Sequence, residues 1–212
     1  MFLERESLAA HFGSSDLVIL DLKDRSRRIV IDKNASHSND GKRLKGMYCQ
    51  DLPKVCFTRD DKHVILPVIS FDEIFVVSVE AETKKLRILP DTAHTTEILN
   101  FDGELLVTST SKVTERPNLA VRRVFSEKKP ILFETTIEEK IIGSCQVVDF
   151  VDESTEQEFS AFLVSPSGTE GKKTPCVIII HGGPHSCFVS NFMSSVALKI
   201  RLGFKVVLIN YR

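Results

Sequence analysis

The chain has no tryptophan, only two tyrosines, and no apolar run near the ~20 residues that span a bilayer. Neither charge is in excess: 28 Lys and Arg stand against 29 Asp and Glu, a net charge of −1. That balance removes the electrostatic case for nucleic acid or an anionic membrane as partner. The amino end, Met1-Phe2-Leu3-Glu4-Arg5-Glu6, lacks the basic-then-apolar order of a secretory leader. The five cysteines, Cys49, Cys56, Cys145, Cys176 and Cys187, include no Cys-x-x-Cys pair and leave one over. A reducing, cytoplasmic setting is therefore expected rather than a disulfide framework. The six histidines are scattered without ligand spacing, so no metal and no other cofactor is called for. No serine has glycine two positions before and two positions after it, so the Gly-x-Ser-x-Gly turn of a nucleophilic serine is also missing.

What the sequence does have is 42% apolar residues over 212 positions, enough for a real core, and one organising stretch. Thr174 to Pro184 reads Thr-Pro-Cys-Val-Ile-Ile-Ile-His-Gly-Gly-Pro. An apolar run bounded by Pro175 and by a Gly-Gly-Pro breaker is expected to form a strand buried on both faces of a parallel sheet. Paired glycines at its carboxyl end clear side chains from the backbone, so that an N–H can face a ligand oxygen. Pro184 has no N–H, which leaves Gly182 or Gly183 as the donor. That is the layout of an oxyanion loop in α/β-hydrolases. An ordinary strand-ending turn is the competing reading. The flanks favour the former. Ser190 to Leu202 carries Phe192, Val196 and Ile200 at helical spacing, with Ser190 or Asn191 to cap its start and Gly203 to end it. Phe204 to Ile209 follows as a second short apolar strand, giving the crossover length that parallel pairing requires.

Upstream, the pattern changes to short strands and charged turns. Leu17–Leu22 and Arg28–Ile31 flank Lys23-Asp24-Arg25-Ser26, and Ile74–Val79 and Lys84–Leu89 repeat that plan around Glu80-Ala81-Glu82-Thr83, with Leu119–Phe125 as a third beginning. Two acidic hairpin turns, at Asp60-Asp61-Lys62 and at Phe101-Asp102-Gly103, recur in the same way. Short strands recurring about every 40 to 50 residues point to β-propeller blades. Another meander of hairpins, such as a sandwich, is the alternative. The blades would end near Ile31, run from about Gly46 to Leu89, and run from about His94 to Glu134, with Asp32–Lys45 as an exposed insertion. Gln146–Val151 and Glu158–Val164 form a further antiparallel pair around a polar turn.

His181-Gly182-Gly183-Pro184-His185-Ser186, the helix, and then Gly203 to Arg212 ending in Asn210-Tyr211-Arg212 together resemble the prolyl oligopeptidase family of serine peptidases. The likeness continues upstream through Gly46-Met47-Tyr48-Cys49-Gln50-Asp51-Leu52-Pro53. It implies a mixed fold: a partial β-propeller of about three blades over 1–136, a junction at 137–144 pivoting on Gly143, and the start of an α/β-hydrolase domain over 145–212. Within the family the likeness is to the branch that releases N-acylated amino acids from short peptides, so N-acylated peptides are the implied partners, and a homo-oligomer is implied for the full-length protein. A dipeptidyl-peptidase or carboxylesterase of the same fold, or a non-catalytic propeller module, is the alternative. The resemblance makes Gly183 the first choice for the oxyanion N–H and Gly182 the second, with His181 orienting the loop. His185 is a candidate for the substrate cleft or a plain exposed loop residue. Arg212 is a candidate for a substrate carbonyl or carboxylate, or for a structural ion pair. Cys187 is expected to be a packed residue rather than a nucleophile. The serine, acid and histidine of a triad are expected beyond Arg212, so the chain reads as a fragment that is itself inactive.

Overall fold

The computed structural model describes residues 1–4, 14–34, 36–39, 42–45, 47–49, 51–70, 72–89, 94–133, 143–154, 156–183 and 186–211. The chain divides into two compact units, one of Met1–Thr110 with Asn118–Glu134, the other of Ser111–Pro117 with Thr135–Arg212. Among the described residues no helix is long and apolar enough to cross a membrane.

The first unit is built of small sheets in chain order. β1 (Phe2–Glu4), β2 (Asp16–Leu20) and β3 (Arg27–Ile31) form an antiparallel sheet, with an ion pair between Glu4 and Arg27. β4 (Ser36–Asn39) and β5 (Lys42–Lys45) pair as a hairpin. β6 (His63–Ser70), β7 (Glu73–Glu80) and β8 (Leu86–Ile88) make the next antiparallel sheet. β9 (Thr95–Phe101), β10 (Leu105–Lys112), β11 (Glu115–Arg123) and β12 (Ile131–Phe133) follow in the spatial order β12-β11-β10-β9.

The β6–β7 sheet shows why its apolar runs are continuous. Val64, Leu66, Val68, Phe75, Val77 and Val79 pack in one core with Leu17, Val30 and Leu44, whereas Ile65 and Val76 pack in another with Phe101 and Leu106. Successive side chains of a strand point to opposite faces, so both faces of this sheet are covered, each by a neighbouring layer. The acidic turns also adjoin one another. The Arg59 N–H donates to the Gly103 carbonyl at 3.0 Å, and its guanidinium meets Asp102 at 3.2 Å and Glu104 at 2.7 Å. Gly103 has φ +92°, and an added Cβ would lie 3.1 Å from Arg59 Cγ and 3.3 Å from the Phe57 carbonyl, so this turn admits no larger residue without movement.

The segment expected to be an exposed insertion, Asp32–Lys45, instead carries the β4–β5 hairpin, and Leu44 is 1% exposed within the first core. Asp32, Asn34 and Ser36 are exposed as expected, and the segment reaches the core through Leu44.

In the second unit β13 (Ser144–Asp152) and β14 (Gln157–Ser165) pair antiparallel along their whole lengths. β15 (Cys176–Ile180), α1 (Ser194–Arg201) and β16 (Lys205–Asn210) then form a strand, helix, strand unit with β15 and β16 parallel. The sheet order is β13-β14-β16-β15. Phe162, Val164, Val196, Ile200, Val206 and Leu208 fill the core, together with Val113 from the 111–117 turn. Two expectations need correction. β15 is an edge of this sheet with one open face: Ile178 is 60% and Ile180 64% exposed, while Ile179 turns toward the core. A short apolar run does not distinguish one covered face from two. The helix begins at Ser194, later than Ser190, and neither Ser190 nor Asn191 caps it; Met193 stands at the N-cap with no side-chain bond. The Phe192 N–H, one residue before that N-cap, donates to Ser111 Oγ at 3.1 Å. The other end of the helix is as expected. Gly203, φ +88°, donates to the Ile200 carbonyl and Phe204 to that of Lys199, the paired bonds of a Schellman motif.

Candidate active site

The parallel register sets Ile180 beside Ile209, so the residues just past those two strand ends emerge side by side. His181 and Tyr211 are consequently stacked, with ring centroids 4.2 Å apart and planes 8° from parallel, close to the usual spacing of neighbouring strands. Phe188 closes the other side, edge-on to His181 at 5.6 Å. The Tyr211 hydroxyl donates to the His181 carbonyl at 2.7 Å. Only 9% of His181 is exposed, its Nδ1 lies 3.4 Å from the Gly182 carbonyl, and its Nε2 is buried without a hydrogen bond to the described residues.

Asn210 fixes the returning loop. Its Oδ1 accepts from the Phe188 N–H at 2.7 Å and its Nδ2 donates to the Phe188 carbonyl at 2.9 Å, a two-point clamp across 22 residues. Between these anchors the backbone crosses Gly182 and Gly183. Both glycines are exposed, and among the described residues, their chain neighbours aside, no atom lies within 4 Å of a Cβ placed on either. Gly183 is left-handed, φ +62°, a conformation costly for any residue with a side chain. Among the described residues neither glycine amide donates a hydrogen bond. The arrangement is a hydrogen-bonded and stacked frame beside a stretch of main chain without side chains.

Of the residues singled out in the sequence, His181, Gly182 and Gly183 lie together at the carboxyl end of β15, while His185 and Arg212, like Pro184 and the junction segment 137–142, lie outside the described residues. Gly143 is described. It has φ +41° and abuts the Ser165 carbonyl so closely that no Cβ fits, which makes it a tight packing point at the start of β13. Cys187 sits beside the frame, and burial pushes its thiol above the ordinary range, against a role as thiolate nucleophile. Tyr211, Phe188 and Asn210 carry the frame and had no role assigned from sequence. The available signal was the register: aligning the apolar runs of the two strands places His181 opposite the Asn210-Tyr211 pair.

The fold class is mixed, open antiparallel sheets followed by a sheet of α/β type, and it is that of the prolyl oligopeptidase peptidases. The structure superposes on dipeptidyl peptidase 4 of Porphyromonas gingivalis with a TM-score of 0.68 at 16% identity, covering 93% of this chain and 28% of that one. On Pyrococcus horikoshii acylaminoacyl peptidase the TM-score is 0.56 at 15% identity, with 99% of this chain and 37% of that one covered. In sequence the chain resembles acylamino-acid-releasing enzyme: the human enzyme is 27% identical over 226 residues, all of this chain and 31% of the enzyme. The chain thus spans about a third of the length of the curated relatives it matches. No family model matches it.

Proposed function

We propose that the chain is part of a serine peptidase that releases N-acylated amino acids from the amino ends of short peptides. Residues 1–136 serve as the last blades of a β-propeller, 137–144 as the junction, and 145–212 as the opening of the hydrolase domain. The nucleophilic serine, its histidine and its acid belong to parts of the protein other than these residues. Gly183, with Gly182 as the second choice, presents its N–H to the scissile carbonyl oxygen as it becomes an oxyanion, an interaction usually worth about 3 to 4 kcal/mol in the transition state. His181 orients the loop, and His185 and Arg212 contact substrate.

The observation that carries this reading is the pair of exposed glycines, one left-handed, whose amides are unengaged among the described residues at the end of a strand framed by His181, Tyr211 and Asn210. The stacked sheets of the first unit support the propeller, which would screen substrates by size. The whole-chain likeness to acylamino-acid-releasing enzyme supports the acyl preference, and an N-acyl amide is met by a neutral pocket rather than by carboxylates that pair a free amine. Five free cysteines support a cytoplasmic location. Acyl transfer of this kind needs no cofactor.

The test is to express the complete reading frame and compare an acetyl-alanine chromogenic substrate with a free-amine dipeptidyl one. Turnover of the acylated substrate is expected. Preference for the free amine would reassign the protein to dipeptidyl-peptidase chemistry, and turnover of neither would point to the non-catalytic alternative.

A further inference from the structure

Residues 186–193 run from the glycine loop to α1 outside any helix or strand. Two side chains from elsewhere hold this segment. One is Asn210, clamped on Phe188. The other is Ser111, whose Oγ accepts the Phe192 N–H at 3.1 Å across 81 residues of sequence. Ser111 lies near the end of β10, and residues 111–117, the tip of the hairpin made by the end of β10, the turn and the start of β11, are part of the second unit. Val113, two residues on, is 2% exposed and packs with Phe162, Val196 and Leu208 in the core beneath the parallel strands. Lys112 Nζ and Glu115 Oε1, 3.0 Å apart, brace the turn from outside.

We propose that the 111–117 turn is a positioning element for the glycine loop: Val113 anchors the turn, the anchored turn places the Ser111 hydroxyl, and that hydroxyl fixes the backbone running from Phe188 to Phe192. The chain of contact is short. Phe192 is held by Ser111, Phe188 by Asn210, and the Phe188 ring lies edge-on to His181, the residue directly before the two glycines. A core-anchored acceptor adds a second fixed point to a segment that has no ladder of its own. The stretch from Phe188 to Phe192 is therefore held at both of its ends. Ser111 acts through Phe192 and is a positioning residue, not one that touches substrate.

The inference rests on reading Gly182–Gly183 as the oxyanion loop, and the experiment keeps the two failures apart. In the complete protein, Ser111→Ala and Ser111→Thr are compared with wild type by hydrogen exchange of peptides covering 186–193, by thermal melting, and by kcat and KM on the acetyl-alanine substrate. Ser111→Ala is expected to speed exchange in that segment about tenfold with the melting temperature little changed, since one local bond opens rather than the fold. It should lower kcat about tenfold with KM unaltered, as a group that places the transition-state donor would. Ser111→Thr keeps an accepting hydroxyl and should restore both. Val113→Ala, which loosens the anchor while leaving the hydroxyl in place, should speed the same segment. Unchanged exchange in Ser111→Ala overturns the proposal, and so does faster exchange with undiminished kcat. A wild type inactive on the acylated substrate defeats the functional reading instead, and the exchange result with its threonine rescue then decides alone.

Discussion

Asn210 satisfies both hydrogen-bonding groups of one distant peptide residue, accepting from the Phe188 N–H and donating to the Phe188 carbonyl. An amide can do this and a carboxylate cannot, because ionised Asp accepts only. Asn210→Asp is therefore expected to turn a bond into a repulsion and to cost about 1 to 3 kcal/mol of stability. Chemical denaturation at neutral pH measures it, and an unchanged midpoint would show the clamp to be idle. The same residue marks a limit of reading sequence alone. The glycine pair stands out in the sequence, although Gly-Gly after an apolar run also ends ordinary strands, and its flanks were needed to single it out. Asn210 and Tyr211 are less direct, because their partners lie 22 and 30 residues away and are met only once the β15–β16 register is set.

The hairpins were the most readable elements, and their turns show why. Asp21 donates to Ser26, Glu80 to Lys85, and Asp152 pairs with Gln157, and in each turn the residue before the closing one is left-handed: Arg25 at φ 61°, Lys84 at 62°, Glu156 at 55°. One local solution is reused, and its charged residues mark it in the sequence. None of the three is glycine, although a left-handed conformation costs an ordinary residue about 1 to 2 kcal/mol. Lys84→Gly relieves that cost and gives back part of it as unfolded-chain entropy. A net gain of about 0.5 to 1 kcal/mol is expected, seen as a higher urea midpoint at unchanged slope. A lower midpoint would mean that the lysine side chain contributes more than the strain removes. The helix start was less readable than the turns because no local side chain caps it. The edge position of β15 was illegible for a similar reason, as strand order is a property of the sheet and not of the run.

For the whole molecule, acid stability follows from the acidic turns that join the layers. Asp60 is held below the usual carboxylate range by the Thr58 hydroxyl and the Lys62 N–H, and Asp102 by the Leu105 and Glu104 N–H groups, with Arg59 adding to the effect. A carboxylate whose folded value is depressed contributes stability that is full above its unfolded value, about 4, and is lost as pH falls through the folded one. The urea midpoint is therefore expected to fall below about pH 4, and Asp102→Asn should make that fall shallower; an equally steep loss in the variant would place the acid sensitivity elsewhere. Association is the other whole-molecule property. Ile178 and Ile180 stand on the open face of β15, with 60% and 64% of their surfaces exposed, and Leu198 on α1 and Leu202 at its C-cap are 59% and 66% exposed. An uncovered β edge with adjacent apolar side chains templates pairing with another chain. The 212-residue chain expressed alone is expected to self-associate at micromolar concentration. Ile180→Lys should shift it toward monomer in sedimentation velocity, because the charge interrupts that face at a position the core does not use. A wild-type chain that sediments as a monomer and melts in one cooperative step would show that this face is not sticky, and that the sheet is self-sufficient with β15 at its edge.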